Sequence, residues 1–313
     1  MTRTRHRLAQ ANAGFTVLEL LVAVAVVALL VALLLPAISA ARETARSTAC
    51  RSRLRQLALA SANYADSHGV FAGSWEPHGS LLPYLEIDRG AVDARLKTIA
   101  DADPLGISSA VLTCPSDEWI TPGFGHVNFD FSHGAGDSGA GRGIIRDQDI
   151  CRPRDVSDGL SNTVLAMEFL IGPRAFPQDR WRPPRKPLLR RAGEPQDLRY
   201  RYAVDCSGGN EEMLCLQADG AAHASNRGLH SFGLRGPRYT RLTHVMPPNA
   251  PLCECAGVPS LFGFSNGPSS RHRGIVNVTT ADGAARMVSE AVDRDVWRAA
   301  GTIAGGEAGA AAF

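Results

Sequence analysis

Hydrophobic and polar positions divide the chain into two unlike parts. From Leu20 to Ile38 every residue is apolar or proline, with Phe15 to Leu18 just ahead of the run. That length meets the roughly 20 residues, at ~1.5 Å rise each, that a helix needs to cross a bilayer. The run has no polar face, which separates it from the core helix of a soluble domain. Pro36 lies deep in it, where it removes a backbone hydrogen bond and should bend the helix locally. Farther on, Ala37, Ala40, Ala41, Ala45, Leu54, Leu57, Ala58, Ala62 and Ala65 recur at helical spacing, with Arg residues elsewhere. Ser67-His68-Gly69 reads as the stop. The pattern predicts one helix from Phe15 to about Asp66, a rod of about 75 Å.

After Gly69 the pattern changes. Gly, Pro, Asp and Ser punctuate short apolar runs, which predicts strands and long loops. Thr163–Phe169 and Ile275–Ala281 are candidate strands. Asp282-Gly283 between alternating segments predicts a hairpin with a type I′ turn. That register pairs Val278 with Met287 and Thr280 with Ala285. His272 then lies about 33 Å of strand away from the turn, so His272 and Asp282 cannot form a catalytic dyad within one straight hairpin. Gly172–Arg201, rich in Pro and Arg, reads as an extended surface loop, and the Gly/Ala-rich stretch from Gly301 to Phe313 as a flexible tail.

Composition narrows the function classes. A chain of 313 residues, 44% hydrophobic, is long enough for a sizeable core. A net charge of +2 and 6% aromatics give neither a basic footprint nor a base-stacking surface, so no nucleic-acid partner is expected. Seven cysteines follow the apolar run: Cys50, Cys114, Cys151, Cys206, Cys215, Cys253 and Cys255. An exported body permits disulfides, and Cys206 with Cys215, flanking a Gly-rich turn, is the most local option. Cys253 and Cys255 are too close for an easy mutual bond. Zinc would call for two paired ligand units where only one tight Cys pair exists, so no metal and no cofactor are expected.

Chemistry-bearing residues are few. Asp158, Asn162, Glu168, His244 and His272 are candidates for a carboxylate–histidine cation site, although Asp158-Gly159 followed by Ser161-Asn162-Thr163 also fits plain turn and cap chemistry, the favoured reading. Asp137, Asp147 and Asp149 match no established calcium loop. Gly134 to Gly139 fits the dinucleotide fingerprint in form only, because Gly141 and Gly143 follow and no helix opens there. Nucleophile-elbow, metalloprotease and phosphate-loop motifs are missing from the sequence. The reading is therefore of a protein that is not an enzyme.

The block Gly14-Phe15-Thr16-Val17-Leu18-Glu19-Leu20 resembles the prepilin leader of type IV pilins and type II secretion pseudopilins. A secretory signal peptide is the alternative, with Pro36 to Ala41 able to supply a cleavage site, but this block decides against it. The resemblance implies that a prepilin peptidase cuts between Gly14 and Phe15 and methylates Phe15. With Phe15 first in the mature chain, Glu19 is fifth and Pro36 twenty-second. A carboxylate near bilayer depth costs about 2.5–3.5 kcal/mol and needs a partner. The resemblance gives Glu19 the terminal amine of a neighbouring subunit. Three Arg precede the run and five follow it, so charge bias alone would not place the N-terminus inside.

His272, nine residues, then Asp282-Gly283 resembles the signature of a large bacterial family of prepilin-like proteins with an uncharacterised, nominally solute-binding-type C-terminal domain. Cys114-Pro115-Ser116-Asp117, Asp158 to Thr163 with Glu168, and Thr243 to Asn249 look like its other blocks. The resemblance implies a pilin-like α+β fold, a long N-terminal helix packed on an antiparallel sheet with long loops. The expected organisation is leader 1–14, transmembrane helix 15–38, helical stem 39–68, body 69–300 outside the membrane, and tail 301–313. The expected role is a pseudopilin-like structural subunit, single-pass in the cell inner membrane. Its partners would be the prepilin peptidase, other pilin-like subunits and membrane lipid. The alternative is an anchored binding module for a saccharide, peptide or solute.

Overall fold

The computed structural model describes residues 16–73, 77–87, 110–117, 127–135, 142–146, 149–171, 242–250 and 267–306, together with the backbone of strands at 200–204, 222–224, 252–255 and 264–265. The chain divides into two units, residues 1–45 and 46–313.

Helix α1 runs from Val17 to His68. Thr16 and Glu19 cap it reciprocally. The Glu19 N–H donates to Thr16 Oγ1 at 3.2 Å, and the Glu19 carboxylate accepts from the Thr16 N–H and hydroxyl, both at 2.9 Å. This capping box satisfies backbone donors that a helix start leaves orphaned. In the first unit the large apolar side chains from Val17 to Ile38 are 46–76% exposed. The stretch is long and apolar enough to cross a membrane, and none of its most apolar window is buried.

In the second unit the same helix changes character. Ser47, Cys50, Leu54, Leu57, Ala58, Ala60, Ser61 and Ala65 are buried along one face. Their spacing follows the helical period, so the stripe points one way. It shares a core with Phe129, Phe131, Val164, Ala166, Val276, Val278 and Trp297. Helix α2 (Pro77–Leu81) adds Leu81 to that core.

The described residues then form the strands β1 (Phe129–Phe131), β2 (Val164–Glu168), β3 (Tyr200–Val204), β4 (Ala222–Ala224), β5 (Leu252–Cys255), β6 (Phe264–Ser265), β7 (Ile275–Thr280) and β8 (Ala285–Ser289). One sheet has the order β1-β2-β7-β8 and is antiparallel throughout. β2 lies inside the sheet and every residue in it is buried, Glu168 included. The fold is α+β, as the sequence predicts. A second sheet, order β4-β3-β5-β6, pairs β3 with β5 in parallel, a feature the sequence did not announce.

The hairpin β7–β8 forms where Asp282-Gly283 predicts it, but one step out of the expected register. Asn277 faces Met287, Val278 faces Arg286 and Thr279 faces Ala285. Only Gly283 has positive φ, at 89°, so the connection is not type I′. The Gly283 N–H donates to the Thr280 carbonyl and the Thr280 N–H to the Ala284 carbonyl, closing a three-residue loop with a left-handed glycine. Asp282 Oδ1 accepts from Thr280 Oγ1 (2.6 Å) and the Ala284 N–H (3.0 Å), which fixes that turn.

Helix α3 (Arg294–Ala299) starts at Asp293, whose carboxylate accepts from the Asp295 and Val296 amides. The next residues, placed by the sequence in the tail, are tied down as far as Gly306. Thr302 and Ile303 are buried, and Asp158 accepts from Thr302 Oγ1, the Gly305 N–H and the Gly306 N–H. Burial of Ile303 in the core overrides the small-residue composition.

Candidate functional site

Three of the sequence blocks meet around the end of β2. Glu168, the last residue of that strand, is 2% exposed. Its carboxylate accepts from the Asn277 N–H on β7 at 2.6 Å and from Asn277 Nδ2 at 3.1 Å. The loop before β7 delivers His272, whose Nε2 lies 3.7 Å from Glu168 Oε2 and 3.6 Å from Cys114 Sγ. Cys114 is joined by a disulfide to Cys50 on α1, with the Cα atoms 5.1 Å apart. The ligand-type atoms of Cys50, Cys114, Glu168 and His272 all lie within 4.8 Å of one another, and all four residues are buried.

Each position has a local cause. Cys50 falls on the buried stripe of α1, one turn before Leu54. Cys114 follows the 3₁₀ turn Ala110–Leu112, and its carbonyl accepts from the Asp117 N–H. Its own N–H donates to Asn128 Oδ1 at 2.9 Å. Asn128 in turn donates from Nδ2 to Asp117 Oδ2 (2.8 Å) and to the Phe169 carbonyl (3.0 Å), while the Ile171 N–H reaches the same Asp117 oxygen. Asp117 thus anchors the segment that carries Cys114 to the exit of β2.

The loop carrying His272 is held by Asn249, which takes φ of 59°. Asn249 accepts from the Ser270 N–H at 2.9 Å, donates to Glu290 at 3.1 Å, and sends its own N–H to the Pro268 carbonyl. The His272 N–H donates to Ser270 Oγ.

Burial pushes the Glu168 carboxyl above the usual carboxylate range, against the opposing pull of His272, Ser270 and Asn277. The cluster therefore joins one desolvated acid, one imidazole and two sulfurs, a donor set able to hold a soft or borderline cation once the sulfurs are thiolates.

The other predicted residues go elsewhere. His244 is buried on the Trp297 ring, 4.0 Å between centroids, with Nδ1 donating to the Trp297 carbonyl at 2.8 Å. Burial pushes its imidazole down to about 4. Asp158 anchors the segment through Gly306, and Asn162 Nδ2 donates to the Asp158 carbonyl, so both serve backbone geometry, the reading favoured from sequence. Glu168 pairs with His272 and Asn277. Asp149 lies 3.9 Å from Arg146 at the surface. Gly14, Phe15, Asp137, Asp147, Cys206 and Cys215 lie outside the described residues.

Sequence reasoning missed the Cys50–Cys114 bond and the Asn277, Asn128 and Asp117 supports. The phase of Cys50 with Leu54 and Leu57 was the one available signal that this cysteine faces inward.

A protein-family model described as a protein of unknown function (DUF1559, SBP_bac_10) matches residues 39–295. No curated protein and no solved structure matches the chain.

Proposed function

Because the chain belongs to the DUF1559 family, whose model spans most of it, and opens with an exposed apolar helix, we propose that it is a membrane-anchored, pseudopilin-like structural subunit. In this reading a prepilin peptidase cuts between Gly14 and Phe15 and methylates Phe15. The mature helix then assembles with other pilin-like subunits in a type II secretion or type IV pilus-like system. The body faces the periplasm or the exterior.

One observation carries the proposal. The exposed apolar stretch starts within three residues of Gly14, and its first acidic residue, Glu19, sits at the helix cap. Thr16 gives that carboxylate two donors within the single chain. A carboxylate with two oxygens accepts more than two hydrogen bonds, so it retains capacity for a neighbour's terminal amine. The capping residues all lie after the expected cut, so processing leaves the helix start intact.

N-terminal sequencing of the protein recovered from membranes tests the reading. A methylated Phe15 is the expected first residue, and Gly14→Val should leave the leader attached. A native chain that begins at residue 1, or one cut beyond residue 38 and free of lipid, would overturn it.

A further inference from the structure

The disulfide alone does not account for the arrangement around it. His272 Nε2 is directed at two groups at once, a sulfur at 3.6 Å and a carboxylate oxygen at 3.7 Å. The second distance is too long for a good N–H···O bond. Both fit another geometry. A tetrahedral zinc ion holds sulfur at about 2.3 Å and imidazole nitrogen or carboxylate oxygen at about 2.0–2.2 Å. The edges of that tetrahedron are then ~3.6 Å from S to N and ~3.4 Å from N to O. The N–S edge is met as it stands and the N–O edge is within a few tenths of an ångström. The two sulfurs stand closer than a metal requires, because they are bonded to each other.

We propose that Cys50, Cys114, His272 and Glu168 form a closed structural site for zinc or a similar thiophilic divalent cation in the dithiol state of the protein, and that the disulfide is its oxidised, metal-free form. Four ligands from α1, the 110–117 segment, β2 and the loop before β7 complete a tetrahedral shell. No position is left for water, as structural rather than catalytic sites require. Burial of all four residues agrees with loading during folding, before the core closes. The Asn277 donors to Glu168 are the outer partners that orient a ligating carboxylate. Sequence spacing gave no warning, since each ligand stands alone in its segment and paired cysteines are the usual signal.

The two states interconvert by a balanced exchange. Two electrons and two protons convert the Cys50–Cys114 disulfide to two thiols. An external dithiol supplies them and becomes a disulfide itself. The cation then displaces the two thiol protons, while His272 binds through the Nε2 lone pair with its proton on Nδ1. In an oxidising compartment the disulfide takes over the same cross-link between α1 and the sheet.

The full chain, solubilised in detergent, provides the test. It is reduced with a phosphine, freed of metal under chelator and titrated with Zn²⁺ and, as a chromophoric probe, Co²⁺. The expected result is about one ion per chain, with thiolate-to-cobalt charge-transfer absorption, and X-ray absorption showing two sulfur and two nitrogen or oxygen ligands at zinc. His272→Gln should weaken binding at least ~10-fold. Cys50→Ser with Cys114→Ser should abolish it. Cys253→Ser with Cys255→Ser should leave it unchanged. Circular dichroism on each variant shows whether it is folded, and the wild-type titration needs no variant at all. A folded, fully reduced wild-type chain that takes up no zinc overturns the proposal. So does a four-sulfur shell, or uptake that survives the Cys50/Cys114 exchange.

Discussion

The surroundings of His272 and of His244 are two answers to the same problem, an imidazole enclosed by a hydrophobic core. Both side chains are buried, at 3% and 0% exposure. His272 meets a carboxylate and a sulfur. His244 meets an indole face and a single carbonyl, and its Nε2 has no hydrogen-bond partner among the described residues. An acid and a sulfur beside a buried ring offer further ligands for a cation, whereas burial against an indole pushes the His244 imidazole toward its neutral form despite its one carbonyl partner. Burial alone therefore says little about function. The partner at the second ring nitrogen separates a chemical site from a packing element.

The strongest way to break that distinction is to remove the covalent part of the His272 region. Cys50 and Cys114 are 64 residues apart in the chain. Replacing both by Ser should cost about 4 kcal/mol under oxidising conditions, chiefly by releasing the unfolded chain. Denaturant unfolding of the solubilised protein measures it. A loss under ~1 kcal/mol would mean that the His272 region is held by packing alone, and the contrast with His244 would lapse.

A smaller effect should come from the His244 side. Its folded-state value of about 4 lies below the ordinary 6.5, so between those pH values the unfolded chain binds the extra proton. Stability should be full above about pH 6.5 and fall as the pH drops toward 4, by about 3 kcal/mol from this residue. His244→Gln should flatten that fall. The difference between the two profiles isolates His244 from Glu168, whose carboxyl is pushed up by burial and works in the opposite direction. Identical profiles would show that the His244 ring is not held neutral.

Local patterns carried the frame of the molecule into the sequence. The apolar run and the alanine-rich stripe gave α1 within a few residues of Val17–His68, because helix period and bilayer length are properties of neighbours in the chain. β2 and β7 were legible for the same reason. The sequence blocks around Cys114, Glu168 and His272 hold three of the four cluster residues, but nothing local could show that the three converge or that Cys50 joins them. That depends on the register of β2 against β7, which has a bulge between Val164 and Ala166. The hairpin register failed for a physical reason. Asp-Gly suits both a two-residue and a three-residue connection, and Asp282 bonding to Thr280 and Ala284 selected the longer one.

The finest test concerns Gly301. Its φ is not positive, so no backbone preference calls for glycine here. The requirement is steric. A Cβ at this position would lie 2.5 Å from His244 Cγ, 2.7 Å from Cδ2 and 2.8 Å from Cβ. His244 cannot easily yield, because its ring stacks on Trp297 and its N–H is bonded to the Gly134 carbonyl. Gly301→Ala should therefore cost about 2 kcal/mol, as overpacked cores do. Combined with His244→Ala, which removes the ring, the glycine change should cost little, so the pair should deviate from additivity by at least ~1 kcal/mol. The same cycle between Gly301→Ala and His272→Gln should be additive within about 0.5 kcal/mol, since the three atoms nearest the added Cβ all belong to His244. Coupling in both cycles would show that the two regions respond as a single packed unit.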